Sequence, residues 1–363
     1  MTRCGTVVLA GATECREILP PECFTRRAPG DRLAQAPVYA PPGRGPAHAR
    51  RHAVRPRTKI LLEASTESEW VARHLESLGH EVLVADPNYA PMYATRSRRT
   101  KTDRRDARTL MDACQTGAYR LAHRLSEPRR HVRAELAVRD ALVRTRTRYV
   151  ALAKTLVRRD GIRVASCESH LVAQRIGALS LSPVLAAELQ PLFAVLAPLN
   201  EQIAAADGRI ATLAATDSLV ARLATAPAIG PVTASAVVAT IDDIARFRSA
   251  HQFEAYLGLV PGERSSGEKR HVGPITKAGN SRVRWLLVEA AWRLLRTKSA
   301  EAAALRAWAH RLAGRRGRKI AVVALARRLA GILFAMWRDG VPYDARRIRG
   351  PRIAAAEVTA RAG

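Results

Sequence analysis

The feature that most constrains the fold is a strand–helix–strand pattern near the start of the ordered sequence. Residues 60–62 form a short apolar run that is typical of a buried strand, and Glu63 closes it. A helical pattern follows, and residues 82–85 form a second apolar run. Two strands joined by one helix favour a parallel pair with a right-handed crossover. We therefore predict an α/β domain over residues 58–125.

Three acidic residues in this region are candidates for a metal site. Asp103 and Asp106 lie three residues apart in a predicted amphipathic helix, on the face that carries its apolar residues. Two inward carboxylates are costly unless they are paired or bind a metal. With Glu63 at a strand end, they are predicted to hold Mg²⁺ or Mn²⁺ for chemistry on phosphate. The alternative is surface charge, with both aspartates paired to neighbouring arginines.

The charge of the chain indicates a polyanionic partner. Lys and Arg number 60 against 32 Asp and Glu, which gives a formal net charge of +28. Basic side chains displace counterions from a phosphate backbone, so nucleic acid is the expected partner. A solvated basic surface encoded by a GC-rich genome is the alternative, but it would not supply clustered acids. We expect no membrane-spanning run, and the absence of C-x-x-C pairs favours a reducing, cytoplasmic compartment.

Residues 1–57 differ in composition from the remainder. They are rich in Pro, Arg and Ala and have no sustained period, so they are predicted to be disordered or extended. The change at Lys59 is abrupt. We hypothesise that this segment is translated from a shifted frame or a wrong start, which reading the coding DNA in the other two frames would test.

The remaining sequence is predominantly helical. Residues 126–220 are predicted to form a connector, since apolar residues repeat every seven positions along a long basic helix; they are Leu136, Val143, Val150 and Val157. This pattern predicts a coiled-coil-like arm and a dimerisation surface. Residues 221–345 are predicted to form a mainly α domain, and residues 346–363 a basic tail.

A turn near the start of the last domain is a candidate DNA contact. Pro227 and Gly230 separate two helical patterns, as in a helix-hairpin-helix. Such hairpins offer backbone N–H groups to a DNA phosphate, and here Gly230 and Thr233 are the predicted contacts. An ordinary helix–helix turn is the alternative.

A serine loop and a cationic turn follow in the same domain. Ser265 and Ser266 precede a glycine among cations that include Lys269 and Arg270, so either serine could attack a phosphodiester. By itself the motif is more often a polar turn. After a Gly-Asn turn come further cations suited to phosphate, with a solvated helix start as the alternative; the candidates are Lys277, Arg282 and Arg284.

Several motifs together resemble the insertion sequence 110 family of transposases. They are LLEAST, ADPN, KTDRRDA, PAIGPVTA, YLGLVPGERSSGE, ITKAGNSRVRWLL and RRGRKIAVVALARRLAGILFAMW. The resemblance implies an N-terminal DEDD domain with a ribonuclease H-like fold of the RuvC type, here incomplete. It implies that Glu63 is the second acid of that set and that Asp103 and Asp106 are the third and fourth. It also implies a serine nucleophile at Ser266, with Ser265 as the alternative.

The resemblance further implies a function and a set of partners. Such a protein is a site-specific DNA recombinase that moves its own element, guided by a structured bridge RNA. It assembles as dimers and then a tetramer around the element ends and the target DNA, in the cytoplasm at the nucleoid. The alternatives are a defective relic that only binds DNA or RNA, and a junction-resolving nuclease that needs the acids but not Ser266.

The chain departs from the family pattern at two places. The family opens with a strand that ends in an acid, whereas this chain begins TRCGTVVLAGATECREI and has no such aspartate. Asp31 follows no predicted strand, and Glu14 and Glu17 are poor substitutes. A missing ligand is expected to weaken metal binding. Ala228 stands where the family has glycine in the hairpin turn, which concerns only the phosphate contact.

Overall fold

The structure, a computed structural model, divides into two units, Met1–Arg124 and Leu125–Gly363. It describes the backbone of residues 6–9, 59–93, 103–263 and 272–347, and the side chains of 59–93, 109–263 and 272–346. Each unit has hydrophobic cores of its own.

A parallel three-stranded sheet is the centre of the first unit. Its strands are β1 (Thr6–Leu9), β2 (Lys59–Glu63) and β3 (Glu81–Ala85), in that spatial order. Successive side chains of a strand point to opposite faces of a sheet. Ile60 accordingly packs in one hydrophobic cluster and Leu61 in another. The predicted parallel strand–helix–strand unit is confirmed.

One helix covers each face of this sheet. Helix α1 (Ser68–Ser77) buries Val71 and Leu75 against the face that carries Ile60. Helix α2 (Asp103–Thr116) buries Leu110 against the opposite face, where the 3₁₀ turn Ala90–Tyr93 also contributes Met92. The result is a helix–sheet–helix arrangement in which the sheet is buried on both sides.

Strand β1 lies in the segment that its composition predicts to be disordered or extended. Residues Thr6–Leu9 are extended and pair in parallel with β2, from Thr6 opposite Lys59 to Leu9 opposite Leu62. The four residues, TVVL, are β-branched or apolar and suit a strand. Because the partner strand is distant in sequence, no local pattern marks the pairing.

A short extended segment after α2 covers the outer edge of β3. The backbone N–H of Ala122 donates to Val84 O at 2.8 Å, and that of Asp86 donates to Arg120 O at 2.8 Å. Arg124 then donates to carboxylates on α1, to Glu69 Oε2 and Glu76 Oε2 at 3.0 Å each. Uncovered edge strands expose unpaired backbone groups, and these two hydrogen bonds pair such groups at the end of β3.

The second unit is mostly helical. Its helices are α3 (Glu127–Arg159), α4 (Val172–Gly177), α5 (Pro183–Thr216), α6 (Ser218–Leu223), α7 (Pro231–Ile241), α8 (Ala250–Tyr256), α9 (Ser281–Arg296), α10 (Ala303–Arg316) and α11 (Arg318–Asp339). Three 3₁₀ turns occur at Ser169–Leu171, Ile244–Arg246 and Ala345–Arg347. Strands β4 (Pro261–Glu263) and β5 (Val272–Ile275) form an antiparallel pair.

Helices α3 and α5 pack side by side as an arm. At 33 residues, α3 is about 50 Å long. The start of α3 meets the end of α5 through the Arg129–Asp217 ion pair, and its end meets the start of α5 through Arg159–Glu188 at 2.7 Å. The two helices are therefore antiparallel. The heptad position Val157 is buried in this interface within one chain.

The largest core lies among the C-terminal helices. Helix α7 is buried from Thr233 to its end, so it forms the centre of the bundle. Helix α11 packs Leu325, Leu329 and Leu333 into the same core.

Two helices in the described part of the chain are long and apolar enough to cross a membrane by length and composition, which the sequence pattern does not predict. They are α5 and α11. Apolar side chains of α11 are buried in the C-terminal core, and those of α5 are buried against α3. This packing accounts for much of the apolar composition of α11, whose most apolar stretch is 50% buried, but for little of that of α5, whose most apolar stretch is 17% buried.

Candidate functional site

The carboxyl ends of β2 and β3 each carry an acidic residue. Glu63 is the last residue of β2 and is half-buried. Asp86 directly follows β3, and its carboxylate accepts hydrogen bonds from Asn88 N at 2.9 Å and Arg120 Nη2 at 2.6 Å. Because parallel strands end at one edge of the sheet, both acids lie at that edge.

Hydrogen bonds stabilise the negatively charged form of the Asp86 carboxylate. Burial alone would raise the pKa of Asp86, but the hydrogen bonds from Asn88 and Arg120 outweigh burial and hold the pKa below its ordinary value. Arg120 also lies over the ring of Tyr89, 5.5 Å from its centroid. Asp86 was not among the predicted site residues, although an acid directly after a buried strand is a usable signal.

The other two predicted acids lie in the first turn of α2. Asp103 begins this helix and Asp106 follows three residues later, as the sequence predicts for the backbone. Their side chains fall outside the described residues, so the structure does not test whether they meet Glu63. Among the side chains that are described, no three His, Cys, Asp or Glu residues are grouped as a metal site.

The predicted nucleophile lies in the connection of the β4–β5 hairpin. Pro261 pairs with Ile275 and Glu263 with Val272. The connecting residues 264–271 lie outside the described part of the chain. They contain four predicted site residues, Ser265, Ser266, Lys269 and Arg270.

The base of this hairpin is held by backbone contacts. Thr276 N donates to Val260 O at 2.9 Å, and Lys277 N donates to Gly258 O at 3.1 Å. Arg284 Nη1 donates to the carbonyl oxygens of Leu257 at 3.0 Å and Ala278 at 2.8 Å. Arg284 Nη1 therefore stabilises the two chain segments at the base of the hairpin. The sequence pattern does not reveal this role.

The remaining predicted contacts are divided between the surface and the interior. Lys277 is exposed, with a left-handed backbone at φ 57°. Thr233 is only 9% exposed, so its side chain is part of the core. Gly230 is the N-cap of α7 and has no side chain to accept hydrogen bonds from the first turn of that helix. Ala228, in the turn before α7, is left-handed at φ 64°.

Arg282 lies in a groove that the sequence does not predict. Its guanidinium forms an ion pair with Asp140 of α3 and lies over the ring of Trp285, 4.6 Å from the centroid. The second oxygen of Asp140 meets Arg144 Nη2 at 2.9 Å. Asp140 and Arg282 are far apart in sequence, and only the folding of the second unit brings them together.

Comparison of the amino-acid sequence with known proteins assigns this chain to a family. The sequence pattern of the "Transposase IS116/IS110/IS902 family" matches residues 220–306, which contain the turn before α7, the β4–β5 hairpin and α9. A Pseudomonas aeruginosa protein named "Probable family 20 transposase" is 31% identical over 292 residues, or 76% of this chain and 83% of that protein. The chain belongs to the IS116/IS110/IS902 family.

Two further relatives have names that specify an insertion sequence. The transposase for insertion sequence element IS1111A of Coxiella burnetii is 28% identical over 76% of this chain and 77% of its own length. The transposase for insertion sequence element IS1328 of Yersinia enterocolitica is 27% identical over 78% of this chain and 85% of its own length. Similarity to both relatives extends well beyond the region matched by the family pattern.

Proposed function

We propose that this protein is the transposase of an insertion sequence, a site-specific recombinase that cuts and rejoins DNA. The observation that carries the proposal is the β4–β5 hairpin. It lies within the family-matched region, its base is fixed by Arg284, and its connection contains Ser265 and Ser266. A nucleophile on a loop with a rigid base can be held in line with a phosphorus atom.

In this proposal Ser266 is the nucleophile. Its Oγ forms a bond to phosphorus while the bond from phosphorus to the oxygen of the leaving strand breaks, and the proton lost by the serine ends on that oxygen as a free hydroxyl. Attack by a hydroxyl of another strand then breaks the Oγ–phosphorus bond and reseals the DNA. The cations in the same loop, Lys269 and Arg270, stabilise the negative charge on the phosphate during both steps.

The acids at the sheet are proposed to hold the metal. Carboxylate oxygens are the ligands that Mg²⁺ and Mn²⁺ prefer, and the half-buried Glu63 at the end of β2 has this donor chemistry. Glu63, Asp103 and Asp106 would be the ligands in an incomplete ribonuclease H-like domain. A bound divalent ion would neutralise phosphate charge.

The proposed partners follow from the family resemblance and the charge. DNA at the element ends and the target, and a bridge RNA, are polyanions that suit a chain of net charge +28. The proposed contacts are the backbone N–H groups of Gly230 and Thr233 and the side chains of Lys269, Arg270, Lys277, Arg282 and Arg284. A homodimer or tetramer would let a serine of one subunit serve the acids of another, and we propose action at the bacterial nucleoid.

The test is a search for a covalent protein–DNA adduct on the junction DNA of the element, with Mg²⁺ and its candidate bridge RNA. Ser266→Ala is expected to abolish the adduct, whereas Ser265→Ala retains it. Glu63→Gln should also abolish it. Glu81→Gln is the matched control because Glu81 lies at the opposite end of the same sheet and is exposed.

Other outcomes would select the alternative functions. Cleavage that needs Glu63 but survives Ser266→Ala without an adduct would identify a junction-resolving nuclease. Nucleic-acid binding with neither cleavage nor adduct would identify a relic that only binds DNA or RNA.

A further inference from the structure

A groove lies where α3 packs near α7 and α9 in the second unit. Its volume is about 410 Å³, within the range of pockets that hold small ligands. The residues of α3 that line it include Arg133 and Asp140, and the start of α9 contributes Asn280 and Arg282. Thr240 of α7 also lines it. Its walls therefore combine cations with hydrogen-bonding side chains.

Positive charge in this groove exceeds the negative charge that balances it. Asp140 is shared between Arg144 and Arg282. Arg133 is exposed and has no ion pair with any side chain in the described ranges. Burial lowers the pKa of Arg282; Arg139 and Arg144 lower it further, while Asp140 acts in the opposite direction. The groove thus has cations available for an added anion.

An aromatic surface adjoins these cations. Trp285 lies one helical turn after Arg282 on α9 and is 48% exposed. The Arg282 guanidinium lies over one face of its ring, so a base can stack only on the opposite face. Exposed indole next to arginine is a surface on which a nucleobase can stack, and such stacking does not depend on base identity.

We propose that this groove binds an unpaired stretch of nucleic acid, with a phosphate held by Arg133 and Arg282 and a base stacked on Trp285. The inference deepens the proposed function, on which it rests for the class of partner. Bases within a duplex are stacked on each other and cannot lie flat on an indole, so an unpaired strand fits this surface better. The strand could be DNA or RNA, since both supply phosphates and bases.

The experiment compares oligonucleotides that differ only in their bases. Binding of labelled oligothymidylate to the full-length protein is measured by anisotropy against an oligomer of equal length and charge whose sugars carry no bases. The wild-type protein should bind oligothymidylate at least about fivefold tighter. In Trp285→Ala this preference should disappear while affinity for the base-free oligomer stays unchanged, and Trp285→Phe should retain part of it.

Matched variants separate stacking from general effects. Trp70, 40% exposed on α1, is the control tryptophan, and Trp70→Ala should keep the preference. Arg133→Ala should weaken the binding of both oligomers. It should also reduce the slope of log affinity against log salt concentration by about 1, as expected for one lost phosphate contact. Arg158→Ala, an exposed arginine near the other end of α3, should leave the slope unchanged.

The outcomes distinguish this inference from the proposed function. Three results would overturn the inference. The preference for bases could survive Trp285→Ala, the wild-type protein could bind both oligomers equally, or Trp285→Ala could change only the oligomeric state. Adduct formation could persist in that case. Base-dependent binding without any covalent adduct would instead support this inference and contradict the proposed recombinase function. Comparison of oligouridylate with oligothymidylate assigns the strand to RNA or DNA.

Discussion

The backbone of Gly279 lies against the carbonyl oxygen of Tyr256 so closely that a Cβ atom at Gly279 would be 1.9 Å from it. The same junction brings Gly258 to Ala278, where a Cβ atom at Gly258 would be 2.2 Å from the Ala278 carbonyl oxygen. Both glycines have φ of +70°. Only glycine fits both the spacing and the conformation, so the base of the β4–β5 hairpin depends on these two positions.

Gly279→Ala is expected to destabilise the second unit by at least about 2 kcal/mol, because left-handed strain adds to the steric clash. Urea unfolding measures the loss, and the yield of covalent adduct should fall with it. Gly208→Ala is the control: Gly208 lies in α5 with nothing within 4 Å of an added Cβ, so this change should stabilise by up to about 1 kcal/mol. Equal effects of the two changes would contradict the close-contact explanation.

Ala228→Gly should have the opposite sign. Ala228 adopts φ 64°, which costs a residue with a Cβ about 1–2 kcal/mol. Glycine removes this strain but gains freedom in the unfolded chain, so the net stabilisation should be about 0.5–1 kcal/mol. Thermal unfolding would detect it. The exposed helical residue Ala221 provides the comparison, since Ala221→Gly should destabilise by a similar amount. A lower stability for Ala228→Gly would show that its methyl packing outweighs the strain.

The acid dependence of stability should report on Asp217. Its carboxylate caps α6 by accepting from Leu219 N at 3.0 Å and Val220 N at 3.2 Å, and it pairs with Arg129. Burial alone would raise the pKa of Asp217, but Arg129 and the backbone donors outweigh burial and lower it. A folded pKa below the unfolded value of about 3.9 gives stability that is present above that value and lost as the pH falls through the folded pKa.

Asp217→Asn keeps a capping oxygen and removes the charge. At neutral pH it should cost about 1–2 kcal/mol, and the difference from the wild-type protein should shrink as the pH falls below about 4 and vanish below the folded pKa of Asp217. Urea titrations between neutral and acidic pH measure this convergence. Arg129→Gln should show the same convergence, and the double variant should cost less than the sum of both. A difference that stays constant with pH would assign the effect to capping alone.

The sequence predicts those parts of the fold whose partners are local. The runs at 60–62 and 82–85 and the acid Glu63 lie where the pattern puts them, because one crossover helix determines the pairing. The β4–β5 hairpin is not predicted, since its strands read PGE and VGPI and resemble loops. Its stability comes from Gly258, Gly279 and Arg284, which act across a junction rather than along one element.

In the candidate site, too, the sequence predicts residues with local partners but not pairs that only the tertiary fold brings together. Glu63 can be read from its strand, whereas the pairing of Asp140 with Arg282 needs two helices that meet only in the folded unit. The exposure of Trp285 is likewise a property of packing, because its neighbour Leu286 on α9 is buried. Local pattern therefore finds the metal candidates, and tertiary contacts reveal the groove.

Strand β1 leads to a prediction about the missing first acid. Leu9 pairs with Leu62, one residue before Glu63, and Ala10 follows Leu9 in the sequence. The family resemblance calls for an acid at the end of its first strand, and Ala10 carries no carboxylate. Ala10→Asp should therefore tighten Mn²⁺ binding, measured by calorimetry, and raise the yield of metal-dependent adduct by about tenfold. Ala10→Asn, which adds similar bulk without charge, should do neither. Equal behaviour of the two variants would show that a carboxylate at position 10 does not take the place of the first acid of the family pattern.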